Sequence, residues 1–307
     1  MTEQQACRAC DGPLVTAMAA VPDAVTGERF ELRVCSRCEL GHTWPVPVEL
    51  GRYYGDEYYG ARHGLTERWC VRRRLRWLLR STAGVQGRLL DFGCGEGTFL
   101  TAARARGFAG VGIEPGGAAA AARVAGHQVL GSLDALPSDP TFDVVTSFHS
   151  LEHVSDPRSV LTRLHGCMAP QAVLLIAVPN ARGLQARLLG RHWLHLDVPR
   201  HLVHFGPKSL GALLARTGFV IEQQHHMEIE YDLAGVTQSA LDAVLPKPRV
   251  LLSAAMRRGG GNRALLAASV GLAAWSAPLA LSIVAAGAML GAGGTLVVVA
   301  RRDAAHT

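Results

Sequence analysis

An α/β fold built on a parallel sheet is what three features of this sequence predict. The first is Arg88 to Thr98, where an apolar strand (Arg88 to Phe92) enters a turn with alternating glycines, Gly93, Gly95 and Gly97, and then a helix. The second is another apolar strand, Ala109 to Ile113, which ends in the carboxylate Glu114. The third is the continued alternation of apolar strands with helical segments up to about residue 224. Strand, glycine turn, helix, strand and acid, in that order, suit a nucleoside cofactor. Glycines let the backbone approach the ligand, and a carboxylate one strand over can hold two ribose hydroxyls.

Composition sets the outer bounds. The 307 residues can hold one large domain and a small one, and 49% are hydrophobic against 18% charged, so a large core is affordable. The net charge of +6 is a mild pull toward anions and no more. The first residues are polar and reach a cysteine pair at once, with no secretory pattern, so a cytoplasmic location is expected. Seven cysteines in such a chain point to metal or free thiols rather than disulfides.

The chain begins with Cys7-Arg-Ala-Cys10 and Cys35-Ser-Arg-Cys38. Each pair can form a tight turn that presents two thiolates, and four thiolates make a closed tetrahedral site for a structural Zn2+. Gly12-Pro13 and Gly41 follow the two pairs, and short strand-like runs (Leu14-Val15 and Phe30 to Val34) lie between them. Residues 1–50 are therefore expected to form a zinc ribbon. Cys70, Cys94 and Cys167 are left over as buried thiols, with Cys94 close to the cofactor.

Residues 51–84 are expected to hold a linker and a basic helix. The linker is tyrosine-rich and acidic, Tyr53-Tyr54-Gly55-Asp56-Glu57-Tyr58-Tyr59-Gly60. The helix, Leu65 to Arg80, mixes Trp69, Leu75, Leu78 and Leu79 with Arg68, Arg72, Arg73, Arg74, Arg76 and Arg80. A solvated basic face is the default reading, and contact with phosphate or anionic lipid is the functional one.

From residue 85 to 307 the glycine turn governs the reading. A dinucleotide site has G-x-G-x-x-G, whereas Asp91-Phe92-Gly93-Cys94-Gly95-Glu96-Gly97 puts an acid before alternating glycines, which disfavours a pyrophosphate and suits a cationic ligand. This pattern resembles motif I of the class I S-adenosylmethionine (SAM) methyltransferases. Further along, His149-Ser150-Leu151-Glu152-His153-Val154 after the strand Phe142 to Phe148 resembles a signature of the ubiquinone-type O-methyltransferase group. So does Asp197-Val198-Pro199-Arg200-His201-Leu202-Val203-His204-Phe205. Tyrosine-rich acidic linkers like this one occur in methyltransferases that carry an N-terminal ribbon. The resemblance covers about Arg88 to Gln224, with a last strand near the C-terminus.

The resemblance implies a Rossmann-like seven-stranded sheet whose last strand is antiparallel. It implies that Asp91, Gly93, Cys94, Gly95 and Gly97 pass the amino acid part of SAM. Glu114 would bind ribose and Asp134, in Gly131 to Pro137, would lie by the adenine amine, with Phe148 and His149 completing the cofactor set. A transferred methyl group needs an acceptor freed of its proton, and histidine suits that near neutral pH. His153, His201 and His149 are the candidates, placed in segments that follow strands at their carboxyl ends. Phe148-His149-Ser150-Leu151 is not the N/D-P-P-Y/F motif of amino-methylating enzymes, and no Pro-Cys pair follows that strand, so base methylation of those kinds is disfavoured.

One segment lies outside the resemblance. Between Tyr231 and Gly293 about 60 residues separate the last two strands, the second being Gly294 to Ala300. From Ala264 to Gly293 no residue is charged, with Arg257, Arg258 and Arg263 before and Arg301-Arg302 after. The last strand must return to the sheet, so one membrane crossing is excluded, and two crossings need about 40 residues. Trp275-Ser276-Ala277-Pro278 is expected to break the run into two short helices. A shallow hairpin at the inner face of a membrane, a lipid-binding lid, and a helical insert (about 232–293) packed on the protein are the competing expectations.

The sequence thus predicts methyl transfer from SAM to oxygen or carbon of a small molecule: a sugar, a natural-product intermediate or an isoprenoid- or lipid-linked acceptor. An RNA methyltransferase whose ribbon grips RNA, and a SAM-binding scaffold without turnover, are the rivals.

Overall fold

The computed structural model describes residues 6–54, 66–137, 141–245, 249–251 and 263–303. Tyr58 and Tyr59 of the linker, Leu65, and Arg257 and Arg258 lie outside the described residues.

Three antiparallel strands come first: β1 (Leu14–Pro22), β2 (Arg29–Cys35) and β3 (Gly41–Trp44). Helix α1 (Glu67–Ser81) leads into a strand–helix alternation. It runs through β4 (Arg88–Phe92), α2 (Thr98–Arg104), β5 (Ala109–Ile113), α3 (Ala118–Val124), β6 (Gln128–Leu130) and β7 (Phe142–Phe148). Next come α4 (Pro157–Gly166), β8 (Met168–Pro179), the short helix α5 (Leu184–Leu189) and the two-residue strand β9 (Val203–His204). The chain ends with α6 (Pro207–Arg216), β10 (Phe219–His225), α7 (Ile229–Val244), α8 (Arg263–Met289) and β11 (Thr295–Arg302).

Seven strands form one sheet in the order β10-β11-β8-β7-β4-β5-β6. β4 pairs in parallel with β5 and β7, β7 with β8, and β5 with β6, while β11 runs antiparallel to β10. This is the expected seven-stranded sheet with an antiparallel strand near its end. The central strands read as nearly unbroken apolar runs because helices cover both faces. Their core includes Leu89, Val144, Val173, Leu175 and Val297, packed with Leu75 and Leu78 of α1 and Phe99 and Leu100 of α2. Asp156 caps α4 by accepting from the Ser159 amide, and Pro157 opens that helix.

The chain clusters into two compact units, each assembled from separated stretches. One comprises Arg68–Val178, Lys208–His225 and Val297–Thr307 and contains most of the seven-stranded sheet. The other comprises Met1–Glu67, Pro179–Pro207 and His226–Leu296.

In that second unit β1-β2-β3-β9 form a four-stranded sheet, so the ribbon recruits a strand from the Asp197–Phe205 segment. Its core joins Val21, Phe30, Leu32 and Tyr53 to Trp193, Leu196 and Val198. The unit also holds α5, α7 and α8, with α8 packed along α7 and against α5. The apolar run is one helix of 27 residues with Pro278 inside it, not two short helices. Pro278 removes a single backbone donor, and the helix continues on both sides because one lost bond costs less than breaking the long packed face.

Helix α1 differs from its expected orientation. Trp69 is exposed and Arg74 is buried, because Arg74 shares the inward stripe of Cys70, Trp77, Leu78 and Ser81.

Candidate active site

The glycine turn sits at the carboxyl end of β4, where a parallel sheet offers its ligand crevice. Gly93 has φ 80°, and a Cβ there would overlap the Ser150 hydroxyl. Gly95 has φ 54°, yet a Cβ there would meet nothing within 4 Å, so its surroundings leave open space beside the backbone. The turn is tied to the next strand by Gly93 N and Cys94 N, which donate to the Ile113 carbonyl.

Glu114 is the polar pivot of this end of the sheet. Its Oε2 accepts from Gly95 N at 3.0 Å and its Oε1 from Gly116 N at 2.8 Å. A carboxylate with both oxygens engaged by backbone amides is fixed in orientation and still has lone pairs for two hydroxyl donors.

Asp91 lies beneath the turn rather than in it. It is 3% exposed and accepts from the Thr146 hydroxyl at 2.7 Å. Burial pushes its carboxyl up to about 6, against the opposing pull of the Thr146 bond and of the Arg74 charge. Arg74 is buried with its guanidinium 4.6 Å over the Phe148 ring, and that ring meets Phe99 edge-on at 5.1 Å. Arg74 is thus a buried cation rather than part of the solvated basic face that the arginine-rich helix predicts.

The remaining expected cofactor residues fall into place unevenly. Cys94 belongs to the turn by its backbone, but its side chain packs into the core against Gly112, and burial pushes its thiol up. Asp134 is exposed in a short 3-10 turn, Leu133–Ala135, beyond β6. His149 follows Phe148 with φ 53°, is buried, and places Nδ1 3.6 Å from Glu152 Oε1. His153 ends the 3-10 turn Leu151–His153 and is half-buried.

His201 lies in the other unit. Its Nδ1 is 2.8 Å from the His195 carbonyl, and its own carbonyl accepts from the Thr43 hydroxyl at 2.6 Å. With that proton given to the carbonyl, Nε2–H of His204 donates to Thr43 Oγ1 at 2.9 Å. His204 is thus committed to the ribbon sheet. Arg200, fully buried, donates to Asp23 at 2.6 Å and to Asp197 at 2.7 Å, and Arg249 also reaches Asp197. Burial alone would raise the Asp197 carboxyl, but Arg249 and Arg200 hold it well below the usual range.

The four ribbon cysteines converge. Cys7 and Cys38 sulfurs are 3.5 Å apart, Cys10 and Cys35 sulfurs 3.4 Å, and all four lie within 4.8 Å of one another. A tetrahedral zinc site separates its sulfurs by about 3.8 Å, from a Zn–S bond of about 2.3 Å, so the set fits. Amides of Ala9 and Arg37 point at the sulfurs of Cys7 and Cys35, and a Cβ on Gly12 would press on Cys35 at 2.8 Å.

A family model described as "Methyltransferase domain" matches residues 61–224, more than half of the chain. The chain belongs to the class I SAM-dependent methyltransferases. It is similar to the ubiquinone biosynthesis O-methyltransferase of Pseudomonas aeruginosa, 30% identical over 185 residues, or 55% of this chain and 75% of that one. The protein of the same name from Azotobacter vinelandii is 29% identical over 186 residues, with the same coverage. Among solved structures, a SAM-dependent methyltransferase from Archaeoglobus fulgidus aligns with a TM-score of 0.48 at 20% identity, covering 76% of this chain and 94% of that one. By its family model and its curated relatives this methyltransferase is an enzyme.

Two residues of the site escaped the sequence reading, Arg74 and Thr146. For Arg74 a signal existed, since its i, i+4 spacing from Cys70 and Leu78 marks the apolar stripe. Thr146 carries no such signal, because a threonine in a buried strand is common whatever it bonds.

Proposed function

We propose that this enzyme transfers the methyl group of SAM to an oxygen of a small apolar acceptor, of the isoprenoid- or lipid-linked kind. Carbon, a sugar and other natural-product intermediates are the remaining options of the same reaction type. The observation that carries the cofactor half is Glu114, locked by the Gly95 and Gly116 amides at the mouth of the glycine turn. The relatives are O-methyltransferases of ubiquinone biosynthesis, which supports oxygen as acceptor and a quinone precursor as its class.

SAM supplies an electrophilic sulfonium methyl group. On this reading Glu114 takes the ribose hydroxyls, Asp134 lies by the adenine, and the open side of Gly95 lets the backbone come close. Arg74 offers a cation for the carboxylate of the cofactor. Asp91, Gly93, Gly97, Phe148 and His149 shape the floor around it, with Cys94 contributing backbone only. The protein's task is then to hold the acceptor in line and to take its proton. The base is drawn from His153, His201 and His149. Support for His153 is its half-buried position past the carboxyl end of β7, and for His201 the fixed orientation of its ring.

The four cysteines are proposed to hold one structural Zn2+, leaving no ligand position for substrate. Burial of Arg74 removes a cation from the exposed face of α1 and so weakens the case for RNA.

Titration calorimetry tests the cofactor half. Wild type should bind SAM, and Glu114→Ala should weaken it by roughly a hundredfold or more, since two hydrogen bonds to a charged group are lost. Arg74→Met should weaken it by ~tenfold on the same grounds. Absence of SAM binding by the folded wild type would overturn the reading. Transfer of labelled methyl to prenylated phenols, compared with His153→Gln and His201→Gln, then tests the acceptor and the base.

A further inference from the structure

Helix α8 has two different sides. Ser269, Ala273, Ser276, Ala280, Val284 and Gly287 recur at three- to four-residue spacing and are buried or half-buried, and Ala280 and Val284 pack on Val236 of α7. The opposite side is Val270, Gly271, Ala274, Trp275, Leu279, Leu281, Ala285 and Met289, all exposed. Trp275 is 79% exposed and Met289 84%. No charged residue occurs from Ala264 to Gly293. Its one exposed serine, Ser282, donates to the Pro278 carbonyl at 2.9 Å, and Ser269 and Ser276 likewise donate four residues back. From Ala264 to Met289 the helix thus presents about seven turns, roughly 40 Å, of surface with no charged side chain, and besides the exposed Trp275 indole N–H its side-chain donors are turned back onto the helix. A water-facing helix normally carries charge on that side.

The helix does not cross a membrane. The α7–α8 pair is entered and left at neighbouring points, since Asp232 near the start of α7 accepts from Thr295 at the start of β11 at 2.7 Å. Entry and exit are therefore on one side, and α7 carries buried Asp232 and Gln238 and packs on α5, so it is no second span. What is left is a helix held along one flank and bare along the other.

We propose that this outward face of α8 rests in the interfacial layer of an anionic lipid membrane. Charge argues for lipid over a second copy of the chain. α5, which packs against α8, exposes Arg187 and Leu188, and the 3-10 turn after it, against α7, exposes Arg191 and His192. Phosphate headgroups neutralise such a rim, whereas pairing two copies would bring like charges to one seam. Trp275 is the residue type that settles at the headgroup boundary.

Vesicle flotation tests this with the full zinc-loaded chain and no acceptor present, so its result is independent of the methyl-transfer reading. Wild type should float with phosphatidylcholine–phosphatidylglycerol vesicles, much less with phosphatidylcholine alone, and less at high salt. The double variant Trp275→Asp/Leu279→Asp changes exposed positions only, and should lose partitioning by ~tenfold or more while keeping its melting temperature. Val124→Asp, an equally exposed position on α3, should float like wild type. Wild type left unbound by both vesicle types, or a double variant that floats equally well, would overturn the proposal. A wild-type dimer dissociated by the double variant, without flotation, would assign the face to a second copy instead.

Discussion

His42 in β3 shows how one side chain can set a pH limit. It is 2% exposed and its Nε2 has no hydrogen-bond partner among the described residues. Burial, and then the charge of Arg8, lower its pKa to about 4 from 6.5. The folded state therefore prefers neutral His42, and the unfolded chain takes up the proton first as pH falls. Its contribution is complete above about 6.5 and is lost between 6.5 and about 4. Denaturant melts should show roughly 2 kcal/mol of this loss between pH about 7.5 and about 5. A zinc held by the four thiolates would be lost over the same range, so the readout is the difference in slope between wild type and His42→Gln. Equal slopes would rule out His42 as the cause. The place of Glu114 beside the glycine turn was legible from spacing, because a tight strand-to-helix turn that bonds a carboxylate on the next strand restricts residue type. Cys94 was legible in position but not in direction, since which way a turn residue points depends on what packs beneath it.

At the scale of elements, the pairing of β3 with β9 is the most consequential. A two-residue strand gives no sequence signal, and the Pro199–His204 segment was expected only as a loop. Thr43 joins it to the ribbon through the His201 carbonyl and the His204 ring. Thr43→Val keeps the shape and removes both bonds. It should cost about 1–3 kcal/mol of stability. If His201 is the base, kcat should also fall several-fold while SAM affinity stays put. An unchanged kcat would detach the ribbon from the chemistry. Helix α1 was legible as a helix but not in its rotation, because six arginines obscured a stripe that only packing resolves. The break expected at Trp275–Pro278 failed for a related reason: local breaking power was outweighed by a continuous packed flank.

For the whole molecule, the chain's sequential division into residues 1–50, 51–84 and 85–307 is not how it clusters in space. The ribbon residues share a unit with Pro179–Pro207 and with the insertion, and buried Arg200 joins Asp23 to Asp197 within it. Removing one partner of such a buried pair typically costs about 3–5 kcal/mol. Metal loss should therefore unfold more than 50 residues' worth of structure. Chelation, or Cys35→Ser, is expected to lower the first thermal transition and abolish methyl transfer, with one zinc per chain released. SAM binding by the sheet-bearing unit should persist, and a folded, active, metal-free protein would reject the ribbon site.

The sequence by itself determined the sheet, the glycine turn with Glu114, the cysteine pairs and the reaction type. Each follows from short-range pattern: periodicity, turn chemistry or ligand spacing between near neighbours. Only the tertiary structure decided that Arg74 turns inward, that Asp91 lies under the turn, that the His201 segment becomes a ribbon strand and that α8 is one helix bare on one side. Those depend on contacts between residues far apart in the chain, where burial and pairing outweigh local preference.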